Sequence, residues 1–421
     1  MTSTIEGIVP KSAKLRRGFL LFKSELLLIV VAAALTAKAA EYYVDNRLGD
    51  DANDGRAADR ALRTLAAATK RLEAGDVLHL APGRKYNETL KLTRGGSAAA
   101  PIVVKGHGAV LTGISAFPKE GWEEKGGGLF FLACQGCWGA LRPRVFLGED
   151  RMISVVCRHY KDVDETKLRP LEAIWKAEGV WFRAEDRRRP ADYDLRGSRM
   201  VGAVDNSGVM ILASDYITIE DLTTEGFPND GYNVHGSCHG LIFRNITGRW
   251  NGDDGFSVHE DVQASVYNAH LHHNDFGIQD IGASQTFFFG GLVASNRLCG
   301  VDLYGGMRIL HDMTVRGNSG GQVRIRTNEL KSFGFENTNP MLCTQAYLKG
   351  MRIGDGEGNG LFVGDNTRVC AVDCRISGVG TGVKVVGGDL HLLNSGVLDC
   401  RESAVSAEKA GSFVTKDCRI D

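Results

Sequence analysis

Four glycines, Gly231, Gly255, Gly277 and Gly300, stand 24, 22 and 23 residues apart, and Gly360 and Gly382 restore a step of 22. The phrases around them are alike. Asn229-Asp230-Gly231-Tyr232-Asn233-Val234-His235 is followed by Asn251-Gly252-Asp253-Asp254-Gly255-Phe256-Ser257-Val258-His259-Glu260, then by Asn274-Asp275-Phe276-Gly277-Ile278-Gln279-Asp280 and Gly300-Val301-Asp302-Leu303-Tyr304. Each period holds short alternating apolar stretches broken by Gly, Asn and Asp, with no helical periodicity long enough to return the chain. A step of this size without a helix is one coil of a parallel β-helix, three short strands per turn, stacked at about 4.8 Å. Leucine-rich repeats have overlapping periods, but their Leu-x-x-Leu-x-Leu pattern is absent.

A second phase of the repeat fixes the register. Asp221, Asn245, Asn268, Asp312, Gly350, Asp373 and Asp417 align, and most are followed by an apolar residue. Short polar side chains there can bond the backbone of a bend while the next residue stacks inside. The 53 Gly in 421 residues suit a fold with several bends per coil. Net charge is −1 and no basic patch with interleaved aromatics occurs, which excludes nucleic acid as the expected partner.

Residues 1–39 read as a signal peptide. Lys11, Lys14, Arg16, Arg17 and Lys23 precede the apolar run from Leu26 to Leu35, and Ala37-Lys38-Ala39 offers a small-residue cleavage pattern. Arg16-Arg17 also fits a twin-arginine signal. The expectation is a secreted or periplasmic protein with no membrane contact after cleavage. Ten cysteines in such a chain invite disulfides, yet Cys374 and Cys418 fall in the inward register two coils apart, roughly 9–10 Å, too far to pair. Most thiols are expected to be free.

The exported chain opens with Tyr42-Tyr43-Val44-Asp45 and the turn Gly49-Asp50-Asp51-Ala52-Asn53-Asp54-Gly55. That oxygen-rich turn could hold Ca²⁺, but its spacing misses the EF-hand pattern, and a plain Asx-rich loop is the better reading. Leu62, Leu65, Ala66, Ala68, Thr69 and Leu72 lie at helical spacing, so residues 59–73 are expected to form a helix capping the first coil. Tyr43-Val44-Asp45, the turn at 49–55, Arg63-Thr64-Leu65 and Gly75-Asp76-Val77-Leu78-His79-Leu80-Ala81-Pro82-Gly83 together resemble the opening of right-handed parallel β-helix proteins of the pectate-lyase-like superfamily. That resemblance implies polysaccharide lyase, polygalacturonase-type hydrolase or mannuronan epimerase activity.

The predicted fold class is all-β: a single-stranded right-handed parallel β-helix with an N-terminal capping helix and an inserted β-rich lobe. The boundaries are 40–115 for the cap and first coils, 116–205 for the lobe and 206–421 for the repeats. The lobe holds Trp122, Trp138, Trp175 and Trp181, read as core rather than as a sugar platform, and a charged turn at Arg187 to Arg189. One coil is stretched, placing a long loop at 327–344. The final coil, with Lys416, Asp417, Arg419 and Asp421 as its charges, is an open edge through which copies of the chain could associate.

Alternation after each Gly turns Tyr232, Val234, Phe256, Val258, Val301, Leu303, Val323 and Ile325 inward. Two outward columns result: Asn233, Ser257, Gln279, Asp302 and Arg324, and beside them His235, His259, Tyr304 and Arg326. The facing of Asp280 is open, because its coil breaks alternation. Cleaving a uronate polymer by β-elimination requires a cation on the carboxylate, a base and an acid. Arg324 and Arg326, or Ca²⁺, would serve the first need; His259, His235 and Tyr304 the others, with Asp302 among them. Asn233, Gln279, Asp253, Asp254 and Lys331 are the expected substrate contacts. Elimination on an acidic polysaccharide is therefore the first reading. Hydrolysis by two carboxyl groups is the second: Asn229-Asp230-Gly231, Gly252-Asp253-Asp254 and Arg324-Ile325-Arg326 are similar to polygalacturonase motifs, although no Gly-His-Gly coil intervenes and Arg326 stands where those enzymes have Lys. Gly255-Phe256-x-x-His259 is similar to an epimerase motif from which only His259 carries over. A glycan-binding surface protein is the third reading.

Overall fold

The computed structural model of the protein describes residues 39–134, 141–155, 163–198, 206–327, 342–409 and 411–421. The expected signal segment, apart from Ala39, lies outside these, as do Trp138, Lys331 and most of the 327–344 loop. Among the described residues no helix is long and apolar enough to cross a membrane.

The repeats wind as a parallel β-helix. One coil runs through Tyr232–His235, Ser237–Arg244 and Thr247–Arg249 before the next begins at Asp254–Val258. First strands stack into a ten-stranded sheet, and the other two join a nineteen-stranded assembly. The eight expected inward residues from Tyr232 to Ile325 are at most 1% exposed. They pack into one apolar core with the strands of the opposite wall, such as Phe243, Val266 and Phe288.

Asp221, Asn245, Asn268, Asp312, Gly350, Asp373 and Asp417 all have φ between 51° and 63°, the left-handed conformation that Asn, Asp and Gly tolerate best. Some of their side chains bond one another up the stack rather than their own bend: Asn245 Nδ2 donates to Asp221 Oδ1 at 2.9 Å, and Asn268 Nδ2 to Asn245 Oδ1 at 3.0 Å.

A second corner is built from buried asparagines. Asn274 Oδ1 accepts from the Asn251 amide at 2.9 Å, Asn296 Oδ1 from Asn274 at 3.0 Å, and Asn318 Oδ1 from Asn296 at 2.9 Å. Each Nδ2 returns a bond to a backbone carbonyl of the preceding coil, as from Asn274 to Gly248 O at 3.0 Å. Asn274→Ala would strand the buried Asn251 amide without its side-chain acceptor. At about 1–3 kcal/mol for an orphaned buried donor, denaturant unfolding should show a loss of that size.

The expected helix over 59–73 is only Leu65–Thr69. Leu62 is extended and bridges Val44, and Thr64 caps the helix by accepting from the Ala67 amide at 3.1 Å. Leu65 and Ala68 join the solenoid core. In the turn at 49–55, Asp50 and Asp54 accept the amides two residues on, as Asx bends do, while Asp51 accepts the Arg63 and Thr64 amides.

Within the lobe, Glu123–Gly126, Leu129–Ala133, Ala173–Lys176 and Gly179–Arg183 form one four-stranded antiparallel sheet; Ile114–Ala116, Val145–Leu147, Arg151–Met152 and Leu195–Ser198 form another. Trp175 is core and Trp122 packs against the same cluster. Cys374 is buried in the solenoid core and Cys418 packs on it; the eight described cysteines form no disulfide. Side chains of the last strands remain half-exposed to exposed.

Candidate active site

Strand register makes Asn233, Ser257, Gln279, Asp302 and Arg324 successive partners in one column. In the next column Tyr304 pairs with Arg326, but Ile281 occupies the rung before Tyr304. Asp280 pairs with Val258 and Leu303, so it turns inward. There it meets Arg308, Nε to Oδ2 2.6 Å, with both side chains fully buried. The outward column is also less open than alternation implies, since Asn233, Ser257, Asp302 and Tyr304 are buried. Rungs about 4.8 Å apart let neighbouring long side chains lie over shorter ones.

Asp302 shows this. Arg324 holds it with Nε at 2.7 Å and a second bond from Nη2, Arg326 Nη2 lies at 3.2 Å, and the Tyr304 hydroxyl donates at 2.7 Å. The two guanidiniums are therefore not free, as the elimination reading requires; they share one carboxylate. Two cations on one anion still leave one positive charge, and the Arg324 side chain is 29% exposed. Burial and the Asp302 charge push the Tyr304 phenol well above its usual range, which makes it a poor base.

One to three coils away the sheet edge gathers carboxyl groups. Asp230 Oδ1 accepts from the Asp254 amide at 3.0 Å. Asp253 adjoins them, its side chain 19% exposed and bonded to Arg142 at 2.8 Å. Asp275 lies beneath, fully buried, held by Arg144 at 2.7 Å, Arg297 at 2.5 Å and Arg142 at 3.3 Å. Burial and the Asp253 charge drive Asp230 well above the usual carboxylate range, and burial with both neighbouring charges does the same to Asp254. Asp253 is raised to about 6, chiefly by burial, with Arg142 opposing. Burial also pushes Asp275 up, but Arg144, Arg297 and Arg142 outweigh it, so that group titrates low. The site thus sets Asp253, raised to about 6, beside two carboxyls whose neutral forms burial favours, and Asp254 Oδ1 has no hydrogen-bond partner among the described residues.

His235 and His259 stack at 4.3 Å with planes 6° apart. His259 Nε2 lies 3.0 Å from Ser257 Oγ, and His235 Nδ1 lies 3.3 Å from Glu260. Burial and the neighbouring His235 lower His259 to about 4, so it is neutral at physiological pH. Among the described residues no three His, Cys, Asp or Glu side chains are arranged to hold a metal ion.

Sequence reading missed Arg142, Arg144 and Arg297. The first two lie in the lobe, more than a hundred residues before Asp275, and nothing in their own neighbourhood points to it. Asp275 had a signal, the Asn-Asp pair that repeats Asn229-Asp230 two coils on.

No curated protein sequence matches this chain. The family model for the right-handed β-helix region matches residues 207–339. Among solved structures, pectate lyase Pel9A is similar with a TM-score of 0.51 and 12% identity, over 90% of this chain and 81% of its own. The complex of XylC with xylose is similar with a TM-score of 0.50 and 12% identity, over 90% of this chain and 70% of its own. By coil register, core and these likenesses, the chain folds as a right-handed parallel β-helix of the pectate-lyase kind.

Proposed function

We propose that the protein is an exported carbohydrate-active enzyme that hydrolyses glycosidic bonds in an acidic, uronate-containing polysaccharide. The observation that carries this reading is the Asp230, Asp253 and Asp254 cluster. Glycoside hydrolysis needs one carboxyl group that carries a proton to the leaving oxygen and one carboxylate that activates water. Burial and mutual repulsion supply that split here, with Asp253 the ionised member and Asp254 the proton donor. The net positive charge at Arg324, Arg326 and Asp302 gives a subsite for a uronate carboxylate.

Elimination, the first reading from sequence, loses ground on distance. Its base and its charge-neutralising cation must meet the same sugar ring. His259 and Arg326 are three rungs apart, about 14 Å, and Tyr304, which does adjoin the arginines, is a poor base. The two columns therefore serve better as separate stations along one polymer. Likeness to a pectate lyase and to a xylose complex, and the basic-then-apolar N-terminus, support an exported polysaccharide-active role.

Incubation with a panel of acidic and neutral polysaccharides tests this. New reducing ends without ultraviolet-absorbing unsaturated products are expected on a uronate polymer. Unsaturated products would instead establish elimination, and binding without either product would leave a glycan-binding protein.

A further inference from the structure

The outward face of the nineteen-stranded assembly carries a second surface, remote in register from the carboxylate cluster. One column there runs Glu220, Arg244, Tyr267, Phe289, His311 and Lys349. The adjoining column runs Ile242, Ser265, Phe287, Ile309, Tyr347 and Cys370. The outer face of a solvated sheet is ordinarily polar. Here Tyr267, Met307 and Tyr347 are 38%, 41% and 37% exposed, and a groove of about 510 Å³ opens along Met307, Ile309, Tyr347 and Cys370, with Arg368, Asp389 and His391 lining its far end. A contiguous apolar stripe of this kind marks an interaction surface.

The ring geometry decides against sugar as the occupant. Tyr267 and Phe289 stack at 5.1 Å with planes 14° apart, Arg244 covers the other side of Tyr267 at 5.5 Å, and His311 approaches Phe289 at 6.2 Å. Their faces are taken up along the solenoid axis and their edges point out, whereas a sugar platform needs a free ring face. The charges point to a self-complementary partner. Glu220 lies two rungs before Tyr267, and Lys349 two rungs after Phe289. Lys349 has no ion-pair partner among the described residues, while Glu220 bonds only Arg244, at 3.2 Å.

We infer that this stripe is the interface of an antiparallel homodimer. A two-fold axis through the midpoint of Tyr267 and Phe289 lays each ring edge against the other ring of the second copy. The same operation brings Glu220 of each copy to Lys349 of the other, twice, as an isologous contact requires. From Lys105 to Val372 the column has eight rungs. At about 4.8 Å per rung and a width of about 18 Å, that is roughly 700 Å² per copy, close to the approximately 800 Å² per partner of a standard interface.

Sedimentation equilibrium of the full chain at micromolar concentration tests this independently of any activity. Twice the chain mass is expected. Tyr347→Asp, an outward and exposed site whose change leaves the core intact, should give monomers. Glu220→Lys should weaken association about tenfold or more, and Glu220→Lys with Lys349→Glu should restore it. Rescue cannot come from within one chain, because the two positions are five rungs, about 24 Å, apart. A monomeric wild type, a dimer indifferent to Tyr347→Asp, or a failed charge-swap rescue would each overturn the inference. A monomer whose Tyr347→Asp variant loses retention on a polysaccharide gel would assign the stripe to glycan instead.

Discussion

Asp253→Asn should lower turnover on the uronate polymer by about 10²–10⁴-fold, the usual contribution of a positioned acid or base, while the protein stays folded. Asp253 is the most exposed carboxylate of the cluster, and its amide analogue keeps the shape and can still accept from Arg142. Turnover by the wild type should rise with pH through about 6, where Asp253 ionises. Arg142→Met should move that limb upward, because the guanidinium opposes the burial that raises it. Stability runs the other way. The folded value of about 6 lies above the approximately 3.9 of an unfolded Asp, so the Asp253 contribution is complete below about pH 4 and is lost as pH rises through about 6. Asp253→Asn should flatten that dependence. A variant retaining wild-type turnover would remove Asp253 from the chemistry; Asp230→Asn and Asp254→Asn would then show whether the cluster acts at all.

Arg308→Met should cost about 3–5 kcal/mol in denaturant unfolding, the range found when one member of a buried ion pair is removed. Asp280 and Arg308 lie inside the solenoid wall with no exposed side-chain surface. Asp280 also accepts from Ser284 Oγ at 2.6 Å and from the Thr286 hydroxyl, while Arg308 Nη2 donates to Ser284 Oγ at 3.1 Å. Removing the guanidinium alone leaves a carboxylate in an apolar wall with only hydroxyl donors. Asp280→Leu with Arg308→Met removes both charges and should recover most of the loss. A single variant as stable as the wild type would show that Asp280 is protonated or hydrated in the fold.

The coil step, the inward residues and the left-handed corners were legible because each depends on a few neighbouring residues. Alternation sets which way Tyr232 or Val258 points, and only Gly, Asn or Asp sits comfortably at the φ of Asp221 and its successors. The columns were legible for the same reason, since coils of nearly constant length carry one register to the next. Asp280 was not, because its partner, Arg308, stands on a different strand of the following coil. The single helix was overextended because Leu62 and Leu72 keep helical spacing while lying in the core by other means.

Periodicity and turn chemistry are local and stacking merely repeats them, so a coil of parallel strands with polar columns on one face could be read along the chain, while its right hand came from the resemblance of the opening residues. Which charges remain available is a property of the folded chain alone. Asp302 neutralises one of two arginines a coil away, and lobe residues Arg142 and Arg144 reach Asp253 and Asp275 across more than a hundred residues of chain. Charge pairing depends on distance in space and on the loss of water, and neither can be read along the chain. The proposal of hydrolysis over elimination therefore rests on the folded site.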